Sequence, residues 1–184
     1  MTVAEVYDKY YNIGTRARGI LERHSRSVAD LAVEINDRLS LGLNRELIEE
    51  AAMLHDIGIF LTDAPGIDCH GTEPYIRHGI LGADLLRKDG FPEEIARVAE
   101  RHTGAGVYAD DIKEMHLPLP TDRVLYPETL LEKLVCYADK FYSKSGDMQQ
   151  KPLERVRNSM SRHSASTLER FEILHDFFGR DKIE

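Results

Sequence analysis

Apolar residues recur at helical spacing through almost the whole chain, and hardly any stretch alternates with the period of two that a half-buried strand needs. That pattern is the strongest constraint on what this sequence can fold into. Residues 3–21 read as one or two helices broken near Gly14, and residues 25–39 as another, with Val28, Leu31, Ala32, Ile35 and Leu39 on one stripe and Gly42 as its end. Asn44 suits the N-cap of the next helix, whose run Leu47, Ile48, Ala51, Ala52, Met53 and Leu54 leads into His55-Asp56-Ile57-Gly58, with Gly58 as its stop. Residues 59–76 lack periodicity and carry Pro65, Gly66, Gly71 and Pro74, a loop of functional length. Helices are predicted again over 77–88 and 92–102, the latter with Pro92 in its first turn. After the Gly104-Ala105-Gly106 turn, further helices are predicted over 109–115, 128–143 and 152–178, the last split into two around Ser161. The expected fold class is all-α, a compact multi-helix bundle.

Against this background six polar residues fall where a core-facing helix has no use for them. His24 shares the stripe of Val28, Leu31, Ala32 and Ile35. His55 shares one with Ile48, Ala51 and Ala52, and His78 one with Leu81, Gly82 and Leu85. His102 continues the stripe of Ile95, Val98 and Ala99. Asp139 follows Leu131, Leu134, Val135 and Ala138, and Asp56 adjoins His55. A single inward histidine is usually a core residue bonded to a carbonyl. Six inward groups would each need a partner, and one shared cation satisfies all of them. Imidazole with carboxylate and no thiolate suits Fe, Mn, Zn, Co or Ni, and Mg less well. Six ligands exceed what one ion with an open position takes, so they suit two ions, or one tight and one weak. His70 and His116 read as exposed loop residues, although His70 could overhang a site. His163 reads as an N-terminal helix residue, and His175 as packing and solvated surface.

Composition sets outer limits. The 184 residues bound a single domain over 1–184, with a core of about 20–145 and a helical extension over 146–184. A hydrophobic fraction of 42% is enough for a core. The net charge of -8 argues against a general nucleic-acid or anionic-membrane binder, while a bound metal can reverse the local sign for a small phosphorylated ligand. Cys69 and Cys136 form no CxxC pair. No run approaches the roughly 18 apolar residues of a membrane span, and the N-terminus has no signal-peptide pattern. The expectation is a cytoplasmic protein. The C-terminal helices, with Phe171, Phe177 and Phe178, could pack on the core or on a second copy as a homodimer.

The order His24, His55-Asp56, Asp139 resembles the H…HD…D signature of the HD superfamily of metal-dependent phosphohydrolases, and His55-Asp56-Ile57-Gly58 matches its HDIG subgroup. The resemblance covers roughly residues 20–145. The blocks Arg77-His78-Gly79-Ile80-Leu81-Gly82-Ala83, Arg101-His102-Thr103-Gly104 and Tyr137-Ala138-Asp139-Lys140 are similar to those of functionally unassigned bacterial and archaeal HDIG-domain hydrolases. They are similar too to the di-iron diadenosine tetraphosphate hydrolases of the superfamily. The resemblance implies that His24, His55, Asp56 and Asp139 hold a principal divalent metal, that Asp56 bridges, and that His78 and His102 hold a second ion. Many HDIG proteins carry a lysine after the glycine, where this chain has Ile59. Either a phosphate-contacting cation then comes from Lys140, Arg77 or Arg101, with Lys140 favoured because it follows Asp139, or the substrate differs. Thr103 and the backbone amides of Gly104-Ala105-Gly106 are further anion contacts.

The expected activity is hydrolysis of a phosphoester or phosphoanhydride in a nucleotide-like small molecule by metal-activated water, with Asp56 and Lys140 as catalytic residues. The same ligand order also resembles the mixed-valent di-iron oxygenases of the superfamily. A metal-binding signalling domain without catalysis is a third reading. RNA phosphodiesterase activity is a fourth, disfavoured by the charge.

Overall fold

The computed structural model describes residues 1–180; the last four positions of the expected 1–184 domain lie outside the described residues. Among the described residues the chain is built from nine α-helices: α1 (Val3–Tyr10), α2 (Arg16–Leu39), α3 (Arg45–Leu54), α4 (His78–Lys88), α5 (Glu93–Arg101), α6 (Ala109–Glu114), α7 (Leu130–Asp139), α8 (Leu153–His163) and α9 (Ala165–Phe178). One two-stranded antiparallel ladder, β1 (Asp63–Ala64) with β2 (Cys69–His70), sits in the loop between α3 and α4. The all-α class is therefore correct. No helix is long and apolar enough to cross a membrane among the described residues.

Several boundaries moved, each for a local reason. No break separates residues 21 and 25: α2 runs on from its Thr15 cap, whose hydroxyl accepts from the Arg18 amide, to Ser40 in the left-handed region. Asn44 caps α3 as expected, its side chain accepting from the Leu47 amide at 3.1 Å. Helix α3 ends at Leu54, one residue before His55, so the His55–Gly58 segment is a turn and not helix interior. Pro92 takes the N-cap position of α5 rather than its first turn. Thr129 caps α7, with Glu132 closing a capping box, and α7 ends at Asp139, four residues before the expected end. The last two helices part at Ser164, which caps α9 through the Thr167 amide, rather than at Ser161.

The main core is a continuous apolar cluster, beside a smaller one of Ile80, Val107, Ile112 and Leu125. The main cluster joins α1, α2, α3, α5 and α7 through residues such as Val6, Leu21, Val28, Ile48, Ile95 and Leu134, and extends to Val156, Phe171 and Phe178 of α8 and α9. Each large side chain buried in this way stabilises the fold by about 1.5–3 kcal/mol relative to exposure. Helix α2 packs on α3 and α7, and α5 packs on α4, α3 and α7. Those contacts gather the C-terminal ends of α3, α5 and α7 and the N-terminal end of α4 around the middle of α2.

Close approach at glycine sets the fit of α4. A Cβ on Gly58 would collide with the His78 carbonyl and the Gly82 amide, and one on Gly79 would press at 2.6 Å on the Ala99 carbonyl. Gly58 has φ of -82°, so it serves here as a small residue at a backbone crossing, not as the left-handed helix stop expected from the sequence.

Candidate metal centre

The six inward residues come from five places along one scaffold. His24 lies midway along α2, His55 and Asp56 on the turn after α3, His78 at the start of α4, His102 just past the end of α5, and Asp139 at the end of α7. All six are buried, Asp56 and His55 completely. Tyr11, at the end of α1, clamps the critical turn: its hydroxyl donates to the Ile57 carbonyl at 2.9 Å and accepts from the Phe60 amide at 3.3 Å.

The ligand atoms form two groups sharing Asp56, each compact enough to hold a metal ion: His24, His55, Asp56 and Asp139 in one, Asp56, His78 and His102 in the other. Asp56 Oδ2 faces the first, at 3.1 Å from both His24 Nε2 and His55 Nε2. Its Oδ1 faces the second, at 3.3 Å from both His78 Nε2 and His102 Nε2. His24 Nε2 also lies 2.9 Å from Asp139 Oδ1.

Three of the rings are oriented by backbone carbonyls three residues earlier. The Nδ1 atoms of His55, His78 and His102 lie 2.6, 2.7 and 2.7 Å from the carbonyls of Ala52, Tyr75 and Ala99. Donating Nδ1–H to a carbonyl leaves the Nε2 lone pair facing inward, the tautomer that ligates a metal. Burial pushes His78 down to about 3 and lowers His102 as well, so both rings are neutral. Burial alone would raise Asp56 and Asp139. His55 and Lys144 hold Asp56, and Lys140 and His24 hold Asp139, well below the usual carboxylate range. Burial also opposes charge on His55, but Asp56 and Asp139 keep it up at about 9, so without a metal its Nε2 carries a proton that a bound ion would displace.

Buried atoms without a hydrogen-bond partner test whether a cation fits. His55 Nε2 and both Asp56 oxygens are among them, as is the outer His24 Nδ1. Imidazole and carboxylate donors with no satisfying proton geometry fit a divalent ion better than any arrangement of the protein's own groups. The structure thus brings together all six of the residues expected from the sequence.

The expected anion contacts fare differently. Thr103, Gly104 and Gly106 line a cavity of about 650 Å³ that opens onto His78, His102 and Asp139. Arg77 pairs with Glu73 at 3.1 Å and does not reach the cavity wall. Arg101 is also turned away: its guanidinium bridges Glu128 at 2.6 Å and Glu132 at 3.0 Å, tying the end of α5 to the start of α7. Lys140 lines the cavity, but its ammonium is committed to Asp139 Oδ2 at 2.7 Å and the His102 carbonyl at 2.9 Å. It is a positioning residue: it holds one Asp139 oxygen and leaves the other toward His24. Lys144 also lines the cavity, and its Nζ lies 2.6 Å from Asp56 Oδ2. The sequence reading missed Lys144 because it lies beyond α7, in residues with no periodicity to place them.

His163 is also corrected. It ends α8 rather than beginning a helix, and it lines the cavity. His70 is exposed beside Asp68 and does not overhang the site. His116 is exposed. His175 packs as expected, its Nδ1 2.8 Å from the Tyr137 hydroxyl.

An all-α bundle enclosing a His–Asp cluster that could hold metal ions, beside an open cavity, defines the class of protein. The chain belongs to the HD domain family, which residues 21–143 match. It is similar to a tRNA (cytidine(56)-2'-O)-methyltransferase of Thermoplasma volcanium, 33% identical over 170 residues that make up 92% of this chain and 44% of that protein. The chain therefore spans less than half the length of that relative. Among solved structures, the HD domain of the L. monocytogenes phosphodiesterase PgpH matches with a TM-score of 0.55 at 16% identity, covering 95% of this chain and 93% of that one. The same domain in complex with cyclic-di-AMP matches with a TM-score of 0.53 at 15% identity, covering 99% of each chain. At such identity these likenesses establish the shared fold.

Proposed function

We propose that this protein is a metal-dependent phosphohydrolase that cleaves a phosphoester or phosphoanhydride bond in a nucleotide-like small molecule. The observation that carries the reading is the placement of two Asp56-sharing ligand sets at the wall of a cavity whose charged lining is mainly cationic. Lys140, Lys144, Lys151 and Arg170 face it against Asp111 and Asp139, in a chain of net charge -8. A local excess of cations over carboxylates on one cavity wall of an otherwise acidic chain favours an anion there.

His24, His55, Asp56 and Asp139 would hold one divalent ion, and Asp56, His78 and His102 a second, from among Fe, Mn, Zn, Co, Ni and Mg. Such ions make water nucleophilic near neutral pH and neutralise charge on phosphoryl oxygens. The chain's own groups do the rest. Asp56 presents one oxygen to each ligand set and so registers the two against each other. The carbonyl-anchored rings of His55, His78 and His102 supply fixed lone pairs. Lys144 brings a charged donor to the cluster, suited to a phosphoryl oxygen. Tyr75 stacks on His78 with ring centroids 4.7 Å apart and, with Ile76, gives the cavity mouth a flat apolar wall.

The match to a domain that binds cyclic-di-AMP supports a nucleotide-like ligand. The name of the Thermoplasma relative describes a protein more than twice the length of the matching stretch. The two Asp56-sharing ligand sets beside a cavity with excess cations support hydrolysis as the reading for this stretch. The test is phosphate or nucleotide release by protein stripped with a chelator and reloaded with each metal in turn. Candidate substrates are bis-p-nitrophenyl phosphate, dinucleotides and a short oligoribonucleotide. Release under nitrogen supports hydrolysis. Turnover only with O2 consumption would replace it with oxygenase chemistry.

A further inference from the structure

Three of the four cations on the cavity wall are already paired. Lys140 pairs with Asp139, Lys144 with Asp56, and Arg170 with Asp111. Among the described residues Lys151 alone of the four pairs with no carboxylate. Its position is not that of a free surface lysine. The Lys151 amide donates to the Phe141 carbonyl at 2.7 Å, which pins the backbone against the end of α7 just before α8 begins. The side chain is half-buried and turned to the cavity. His163, at the end of α8, lines the same cavity.

We propose that Lys151, assisted by His163, forms a second anion subsite in this cavity, distinct from the His–Asp cluster, and that the ligand carries a second phosphate to fill it. The proposal rests on the phosphohydrolase reading for the identity of the first phosphate. An ammonium drawn partly out of water beside other cations is unfavourable unless an anion joins it. Burial, together with Lys140, Lys144 and Arg155, pushes Lys151 down to about 8 although Asp139 opposes it. Burial and then Lys140 lower His163, which leaves a neutral ring able to donate one hydrogen bond. A second phosphate would receive charge from Lys151 and a neutral donor from His163, while Lys144 serves the first. A monophosphate leaves Lys151 unanswered, so the class favoured is a di- or bisphosphorylated nucleotide-like molecule.

Calorimetric titration of the Mn2+-loaded protein with adenosine 5'-monophosphate, α,β-methylene-adenosine 5'-diphosphate and adenosine 3',5'-bisphosphate tests this. At least one doubly phosphorylated probe is expected to bind about tenfold more tightly than the monophosphate, the worth of one charge-assisted hydrogen bond. Lys151→Gln is expected to bring that preference down to about twofold or less, and Lys151→Arg to retain it, which separates charge from packing. Equal binding of all three probes, or a preference that survives Lys151→Gln, would overturn the subsite. Phosphate or nucleotide release from the candidate substrates named above, measured on the same protein preparations, separates the two readings. A Lys151-dependent preference without release sinks the hydrolase and keeps the subsite, whereas release without a preference does the reverse.

Discussion

The Nε2 atoms of His78 and His102 face each other across 2.9 Å while the Nδ1 atom of each lies 2.7 Å from a backbone carbonyl. Two neutral rings anchored in this way point two lone pairs at one another, and at Asp56 Oδ1, 3.3 Å from each. Only a cation between them turns that repulsion into attraction.

Asp56 is the one residue common to both ligand sets. Asp56→Asn is therefore expected to reduce metal content, measured by elemental mass spectrometry, from two ions per chain to one or fewer. Phosphate release should fall by about two orders of magnitude or more. A variant that keeps two ions would deny Asp56 its bridging role.

Lys144 holds the Asp56 oxygen that a metal would take, and on the proposed function it would turn to the substrate once a metal is bound. Lys144→Met is expected to lower the metal concentration needed for half-saturation while weakening phosphate-ligand affinity about tenfold. Titration of the chelator-stripped protein measures the first effect and substrate KM the second. Weaker metal binding in the variant would argue against this pairing.

Gly58 has no room for a side chain against His78 and Gly82. Gly58→Ala is expected to destabilise the protein by about 1–3 kcal/mol through overpacking, read from urea unfolding. Because the collision is with the His78 backbone, metal affinity should drop in the same variant. Unchanged stability would mean that α4 can shift freely.

Cys69 and Cys136 are buried, and burial pushes both thiols up to about 11. Since the thiolate is the reactive form, neither should alkylate appreciably at pH 8 in the folded protein. Both should react at once in denaturant, as mass shifts after iodoacetamide would record. Rapid native labelling of Cys136 would mean that the contact of its thiol with the His102 carbonyl at 3.4 Å is not kept in solution.

Lys151 has a folded pKa of about 8, below its ordinary 10.5. Between those values the unfolded chain binds more protons, so raising the pH stabilises the wild type over that interval. Lys151→Gln should therefore unfold at a higher temperature than the wild type at pH 7, with the gap closing as the pH approaches 10.5. A lower Tm for the variant at pH 7 would show that Lys151 is a stabilising group.

The six buried His and Asp residues were legible because each sits on, or one step from, an apolar stripe, and helical periodicity alone turns such residues inward. The pairing of Arg77 and Arg101 with carboxylates away from the cavity has a reason of the same kind. Adjacency to His78 and His102 suggested a shared direction, yet neighbouring residues on a helix point about 100° apart. Arg101 accordingly reaches Glu128 and Glu132 on α7. Lys144 and Lys151 lie in the irregular segment between α7 and α8, where no period applies.

By itself the sequence determined the helical class, the inward set of His24, His55, Asp56, His78, His102 and Asp139, and the chemistry those donors can serve. These follow from local periodicity and from the cost of burying unpaired polar groups. Only the tertiary structure decided that Asp56 divides its oxygens between two ligand sets, that Gly58 is needed for a backbone crossing, and that Lys144 and Lys151 join Lys140 and Arg170 on the cavity wall. Those relationships depend on how helices dock and on where irregular chain comes to rest, and long-range packing sets both.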